Sequence, residues 1–244
     1  MPKTRAWKLA AVVLWAVAQA TPARAQGSAL DLMRAASEVY TQQVHGVVSY
    51  RAIADQEISA PLYQRKVHSV SYIVSKDGKP VRSLLARLII NGKEASRQEM
   101  KDEEERNNQG FQSAFKPPYD PRYTEDYSFE LEPGSPHTVR FKARKVDSNH
   151  GNGTVQFDGE NRVVEVRYVP AAMPDHANSG TVTIQKGETS AGLYGTRLLH
   201  LNFQGSMGFI HGNLVMDQHC ERYQRFPSVE DAIAARNNEI ASRP

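Results

Sequence analysis

Hydrophobic positions along this chain change their period twice. From Ser28 to Gln43 they recur at helical spacing, through Leu30, Met33, Ser37, Tyr40 and Val44, and Ser28 can cap the start. The period then becomes two. Val44, Val48, Tyr50 and Ala52 share one face of a strand. "KVHSVSYIVS" and "PVRSLLARLII" flank "KDGK", whose Asp-Gly pair predicts a tight hairpin. Residues Gly92 to Gly110 are almost wholly polar, and Lys101/Glu105 and Asp102/Arg106 stand four apart, which predicts a solvated helix. "FKPPYDPRYTEDYSF" reads as a proline-broken loop. From Ser128 the alternation resumes in "HTVRFKARKV", "TVQFD", "RVVEVRYV", "GTVTIQ", "GTRLLHLNFQG" and "MGFIHGNLVMDQHCERYQ". "SVEDAIAARNNEI" closes the chain as a helix with an S-x-x-D cap at Ser228 and Asp231. The predicted fold is α+β: a large curved antiparallel sheet, a half-open β-barrel, with N-terminal, mid-chain and C-terminal helices.

The last strand carries the residues with most chemistry. Leu214, Met216 and Cys220 fall on one face, and His211, Asn213, Asp217 and His219 on the other. A nucleophilic thiolate needs a base or a cation beside it. Period two sets His219 on the face opposite Cys220, so the thiol reads as inert and partly buried. His211 is six residues from Asp217, roughly 20 Å along a strand, so one ion cannot join them. Only Asp217, His219 and a neighbour such as His200 remain as ligands, and solvent-facing polar side chains are the preferred reading. No G-x-S-x-G, H-E-x-x-H or phosphate-binding glycine loop occurs. The expectation is therefore no enzyme, no cofactor and no metal. A hydrolase would need two or more of His150, His200, His211 and His219 to converge with a carboxylate.

The ends change the charge balance. Lys3, Arg5 and Lys8 precede the apolar run Leu9 to Ala18, and Ala23-Arg24-Ala25 follows, the layout of a cleavable export signal. That run is too short to span a bilayer. The expectation is a leader over 1–25, cleaved after Ala25, and one domain over 26–244 in the periplasm. The whole chain carries +3 from 30 basic and 27 acidic residues. Without the leader's four basic residues it holds 26 basic against 27 acidic side chains, a net −1. Nothing in that balance supports nucleic-acid binding. A single cysteine excludes an internal disulfide.

The apolar face of the sheet is the remaining candidate for function. Val164, Val166 and Tyr168 form one stripe, and Leu199, Leu201 and Phe203 another. A polar mid-chain helix covers such a sheet poorly, which leaves room for an apolar groove. Tyr119 and Tyr123, beside prolines, either rim its mouth or fasten a long loop to the sheet edge.

The element order, with "VHGVVSYRA" after the first helix and "GTVQFDGENRVVEVRYVP" late in the chain, resembles the periplasmic lipoprotein-carrier superfamily. That family includes the lipoprotein-localisation factors and a sigma-factor regulatory sensor. The resemblance implies a half-open barrel, a helical lid and an apolar interior that holds acyl chains. It carries over no functional residue. Two main readings follow. One is a carrier or sensor for an apolar or acyl ligand. The other is an envelope module with a filled core that binds a protein partner through the "PPYDPRY" loop or a sheet edge.

Overall fold

The sheet is a meander that starts in its own middle. The computed structural model describes residues 29–111, 114–189, 192–207 and 210–242; the expected leader and the Ser28 cap lie outside these residues. Helix α1 (residues 29–44) leads into β1 (Val47–Ala60), β2 (Tyr63–Lys76), β3 (Lys79–Ile90) and the short β4 (Lys93–Glu94). Helix α2 (Arg97–Gly110) then leads to a loop with one 3-10 turn at Thr124–Asp126. The second run is β5 (Tyr127–Leu131), β6 (Thr138–Ala143), β7 (Gly151–Phe157), β8 (Val163–Pro170), β9 (Ala177–Glu188), β10 (Tyr194–Met207) and β11 (Ile210–Phe226), followed by α3 (Val229–Ala241). The order across the sheet is β4-β3-β2-β1-β11-β10-β9-β8-β7-β6-β5, and every pair is antiparallel. The sheet does not close, so the fold is α+β on one large, open, curved antiparallel sheet.

The strands outrun the patterned segments. β1 continues to Ala60 through "ADQEISA", because its two neighbours β2 and β11 supply partners on both sides. The expected Asp-Gly hairpin is present: Asp77 and Gly78 take φ of 48° and 75°, as a type I′ turn requires. A Cβ on Gly78 would fall 2.7 Å from the Tyr40 hydroxyl, so the tip packs against α1.

Three helices cover the sheet differently. On α1, Ala29, Met33, Ala36 and Tyr40 make a buried stripe at helical spacing. It packs on Val139, Phe141, Val155, Val166 and Tyr168 of β6 to β8, which forms the main core. Burying each such aliphatic side chain contributes about 1.5–3 kcal/mol. Helix α3 covers the opposite, outer face, where Ala232 meets Val47 and Val74. Its Arg236 is buried, with the guanidinium 5.0 Å from the Tyr72 ring and 5.4 Å from that of Phe226.

Helix α2 buries none of its own residues, as its polarity predicts. It has a capping box between Ser96 and Glu99. Arg106 pairs with Glu103. Its main work is at the sheet edge. The Glu104 carboxylate accepts from the Leu85 amide at 2.9 Å, and Asn108 accepts from the Ser83 amide at 2.8 Å and donates to its carbonyl at 3.2 Å. Side chains thus satisfy part of the free backbone edge of β3, which β4 leaves uncovered beyond Ile89 and Ile90.

Candidate ligand-binding site on the inner face

The register defines the inner face rung by rung. Gly180, Phe203, Leu214 and Ile58 are successive partners across β9, β10, β11 and β1. The next inward rung is Val182, Leu201, Met216 and Gln56, and the next is Ile184, Leu199, Gln218 and Ala54. Two larger hollows lie along these rungs, beside a smaller one of about 160 Å³ lined by Ala54, Gln56, Met216 and Gln218. One, of about 560 Å³, lies between α1, the Ala114–Tyr123 loop and the middle of the sheet. Its wall is aromatic, with Tyr40, Tyr50, Phe115, Tyr119, Tyr168 and Tyr223 among the lining residues. The other, of about 460 Å³, is an apolar groove near the far end of the long strands, lined by Ile58, Leu201, Phe203 and Leu214 with the Pro174–Ala177 segment. Leu201 lines both.

Ring packing fixes the aromatic wall. Tyr40 meets Tyr119 edge-on at 5.1 Å between centroids. Phe115 stacks on Tyr168 at 3.9 Å, and Tyr50 on Tyr223 at 4.8 Å. Burial pushes the phenol pKa values of Tyr40, Tyr119 and Tyr168 well above their ordinary range, so all three stay protonated hydrogen-bond donors.

A lysine ends this wall. Lys186 occupies the next inward position of β9 after Val182 and Ile184. Its Nζ lies 4.9 Å from the Tyr40 ring and 5.1 Å from the Tyr119 ring. Burial pulls its pKa down to about 8, with the Asp120 carboxylate acting in the opposite sense. Asp120 is itself buried and committed to Arg122, whose Nε donates to both carboxylate oxygens at 2.8 and 3.0 Å.

The candidate ligand residues divide. Tyr119, Tyr123, Tyr168, Leu199 and Leu201 line the aromatic cavity, and Leu201 and Phe203 line the groove. Val166 is fully buried beneath α1 and lines neither. Val164 also lines neither. Gln156 pairs with Glu165 but Phe157 pairs with Val163, so Val164 is the extra residue of a bulge and leaves the stripe to Val163. The tyrosine-rich loop combines both expected roles. Tyr119 and Tyr123 face the cavity, while the Tyr127 hydroxyl donates to the Lys116 carbonyl at 2.5 Å and fastens the loop to β5.

The histidines occupy separate settings. His200 Nδ1 lies 2.7 Å from Asp217 Oδ1, and His68 Nδ1 lies 2.8 Å from Asp55 Oδ1. These four are partners across β10, β11, β1 and β2, a rung on the outer face where Asp217 and Asp55 stand directly opposed. His211 pairs with Ser206 near the hairpin end, and His219 with Leu198 and Ile53. His150 is fully buried elsewhere, with Nδ1 2.7 Å from Asp147 and Nε2 3.1 Å from Asp126. Among the described residues no group of three or more metal-ligating side chains is placed to hold an ion. Cys220 is buried with Val48, Ala52, Ile73 and Tyr223, and burial pushes its thiol pKa up.

No protein-family model matches the chain, and no curated protein matches it significantly. Solved structures give weak likenesses. One is a lipovitellin structure concerned with lipid–protein interactions, at 11% identity and a TM-score of 0.33 over 76% of this chain; the match spans 26% of that protein's length. Another is MucB in complex with the MucA periplasmic segment, at 7% identity and a TM-score of 0.22 over 82% of this chain and 100% of that one. At these TM-scores neither likeness assigns a fold or a function. No described helix is long and apolar enough to cross a membrane.

Proposed function

We propose that this protein is an exported, non-enzymatic carrier or sensor that holds an apolar chain, such as a lipid acyl group, along the inner face of its sheet. One observation supports this above the rest: an aromatic cavity and an apolar groove lie along the same inner face and share Leu201 in their walls. Their dimensions and apolar lining match those of small-molecule sites. An envelope module with a filled core would have an inner face closed by side chains, so these hollows favour the carrier. On this reading, export through the 1–25 leader delivers the protein to the periplasm.

The test is native mass spectrometry of protein purified without detergent, before and after exposure to phospholipid vesicles. A bound mass matching a lipid or other apolar metabolite is expected, and Leu201→Asp should abolish it while leaving the melting profile cooperative. A wild-type protein that stays ligand-free after lipid exposure would overturn the reading and turn attention to a protein partner.

A further inference from the structure

The cavity's charge is not that of the whole protein. Among the described residues that line it, Lys79, Lys116, Arg122 and Lys186 are basic and Asp120 is acidic. Arg122 neutralises Asp120 through the hydrogen bonds described above. Among the described lining residues, three lysines therefore share a hollow whose one carboxylate is bound to Arg122, in a chain whose sequence after the leader is nearly neutral.

Lys186 is the best placed of the three. A partly buried ammonium is costly, and the ring faces and the Arg122-bound Asp120 carboxylate compensate only in part. Its alternation with Val182 and Ile184 aims it at the hollow rather than at solvent. From its level, opposite Thr196, the inner face runs past Leu199 and Leu201 to Phe203, roughly 20 Å of strand. A cation thus stands at one end of a long apolar track. Tyr40 and Tyr119 stand beside it.

We propose that the ligand is a single-chain amphiphile with an anionic headgroup: its carboxylate or phosphate pairs with Lys186, and its acyl chain follows Leu199 and Leu201 into the Phe203 groove. This rests on the carrier reading and adds the headgroup to it. Lys79 and Lys116 supply supporting field at the cavity, and Tyr123 carries the Lys116 ammonium 6.0 Å from its ring centroid. Headgroup pairing also gives the ligand a fixed direction, which an apolar groove alone does not impose.

The experiment is calorimetric titration of protein expressed from its full coding sequence, delipidated, against palmitate, a palmitoyl lysophosphatidic acid and cetyl alcohol. The alcohol has the same chain and no charge. Wild type, Lys186→Met and Lys186→Arg are compared, with thermal melts to establish folding. Palmitate or the lysophospholipid should bind wild type at least about tenfold more tightly than Lys186→Met, a difference of about 1.4 kcal/mol. Cetyl alcohol should bind both equally, and Lys186→Arg should retain most of the anion preference. Whichever anion binds more tightly identifies the headgroup as carboxylate or phosphate. If all three probes bind wild type and Lys186→Met alike, the groove stands and the headgroup role is overturned. If none binds wild type, the carrier reading itself fails and the headgroup proposal with it. Should Lys186→Met melt without cooperativity, Lys186→Gln takes its place in the same comparison.

Discussion

The Phe203 ring crowds Gly180, its partner across β9 and β10, so closely that a Cβ at position 180 would fall 2.0 Å from Phe203 Cδ1. The glycine makes room for the ring, and the ring forms part of the groove wall. Gly180→Val should displace Phe203. The expected outcome is a loss of about 1–3 kcal/mol in urea unfolding, as for other overpacked sites. Acyl binding by the groove should weaken in parallel, read by titration with cetyl alcohol. Unchanged binding would remove Phe203 from the ligand path.

Lys186 gives a signed pH dependence. Its folded pKa of about 8 lies below its ordinary value of 10.5. In that window the unfolded chain holds the extra proton, so the unliganded protein should gain stability as pH rises from about 8 to about 10.5. The groups that face it are Tyr40 from α1 and Tyr119 with Asp120 from the loop; the tyrosines titrate well above this range. Lys186→Met should abolish that rise and stabilise the unliganded protein at pH 7 by on the order of 1 kcal/mol. Denaturant melts at pH 7, 8.5 and 10 measure both effects.

His150 holds two carboxylates at once. Desolvation acts to raise the Asp147 pKa, but hydrogen bonds from the His150 side chain and backbone and from the Asn149 backbone outweigh it, so the net shift is downward. Asp126 is lowered chiefly by Lys145, and His150 adds to this. Depressed carboxylates stabilise the fold above their unfolded pKa, near 4, and that contribution is lost as pH falls through the folded values. His150→Phe should cost about 1–3 kcal/mol at pH 7, since it leaves polar atoms of the loop without their partner. The cost should shrink below pH 4. Circular-dichroism melts across this range check the sign.

Arg236 pins α3 to the outer face. Its Nε donates to Ser49 Oγ at 3.1 Å and its Nη1 to Glu239 at 2.8 Å, between the Tyr72 and Phe226 rings. Arg236→Met should cost about 2–4 kcal/mol by removing the buried donor to Ser49 and the ion pair with Glu239. Arg236→Lys should recover little of it, because lysine lacks the planar fork. Hydrogen exchange should show the loss concentrated in α3 and its contacts on β1.

Removing the edge cover has a different signature. Glu104→Ala with Asn108→Ala frees the Ser83 and Leu85 amides of β3. The double variant should lose about 1–3 kcal/mol and self-associate, since an uncovered strand edge templates pairing with other chains. Light scattering during storage at high concentration reads the second effect independently of the first.

Alternation carried most of the fold into view. The period-two segments, the Asp77-Gly78 turn and the position of Cys220 opposite His219 all follow from side chains switching faces at each residue. Simple alternation puts Val164 on the wrong stripe, because a bulge adds one residue and reverses parity, and no periodicity reports it. Helix α2 showed its polarity but not its purpose, because edge amides find partners only when the strand order is known. Val166 belongs to the packing of α1, a contact between elements far apart in sequence. The signal for Lys186 was present in "TVTIQK": a lysine occupies a position that alternation reserves for the apolar face. Arg236 interrupts a stripe of Ala232 and Ile233 in the same way.

The pairing of β1 with β11 makes the last strand a keystone. Strands β1 to β4 can zip together early, and so can β5 to β10, but no hydrogen-bonded ladder joins the two groups until β11 arrives between β1 and β10. Val47 finds its partner Phe226 only after nearly the whole chain has been made. A ribosome or translocation pore that releases residues in order would therefore hold two half-sheets with unpaired edges, and assembly of the complete sheet is set by the slow closure of a very long loop.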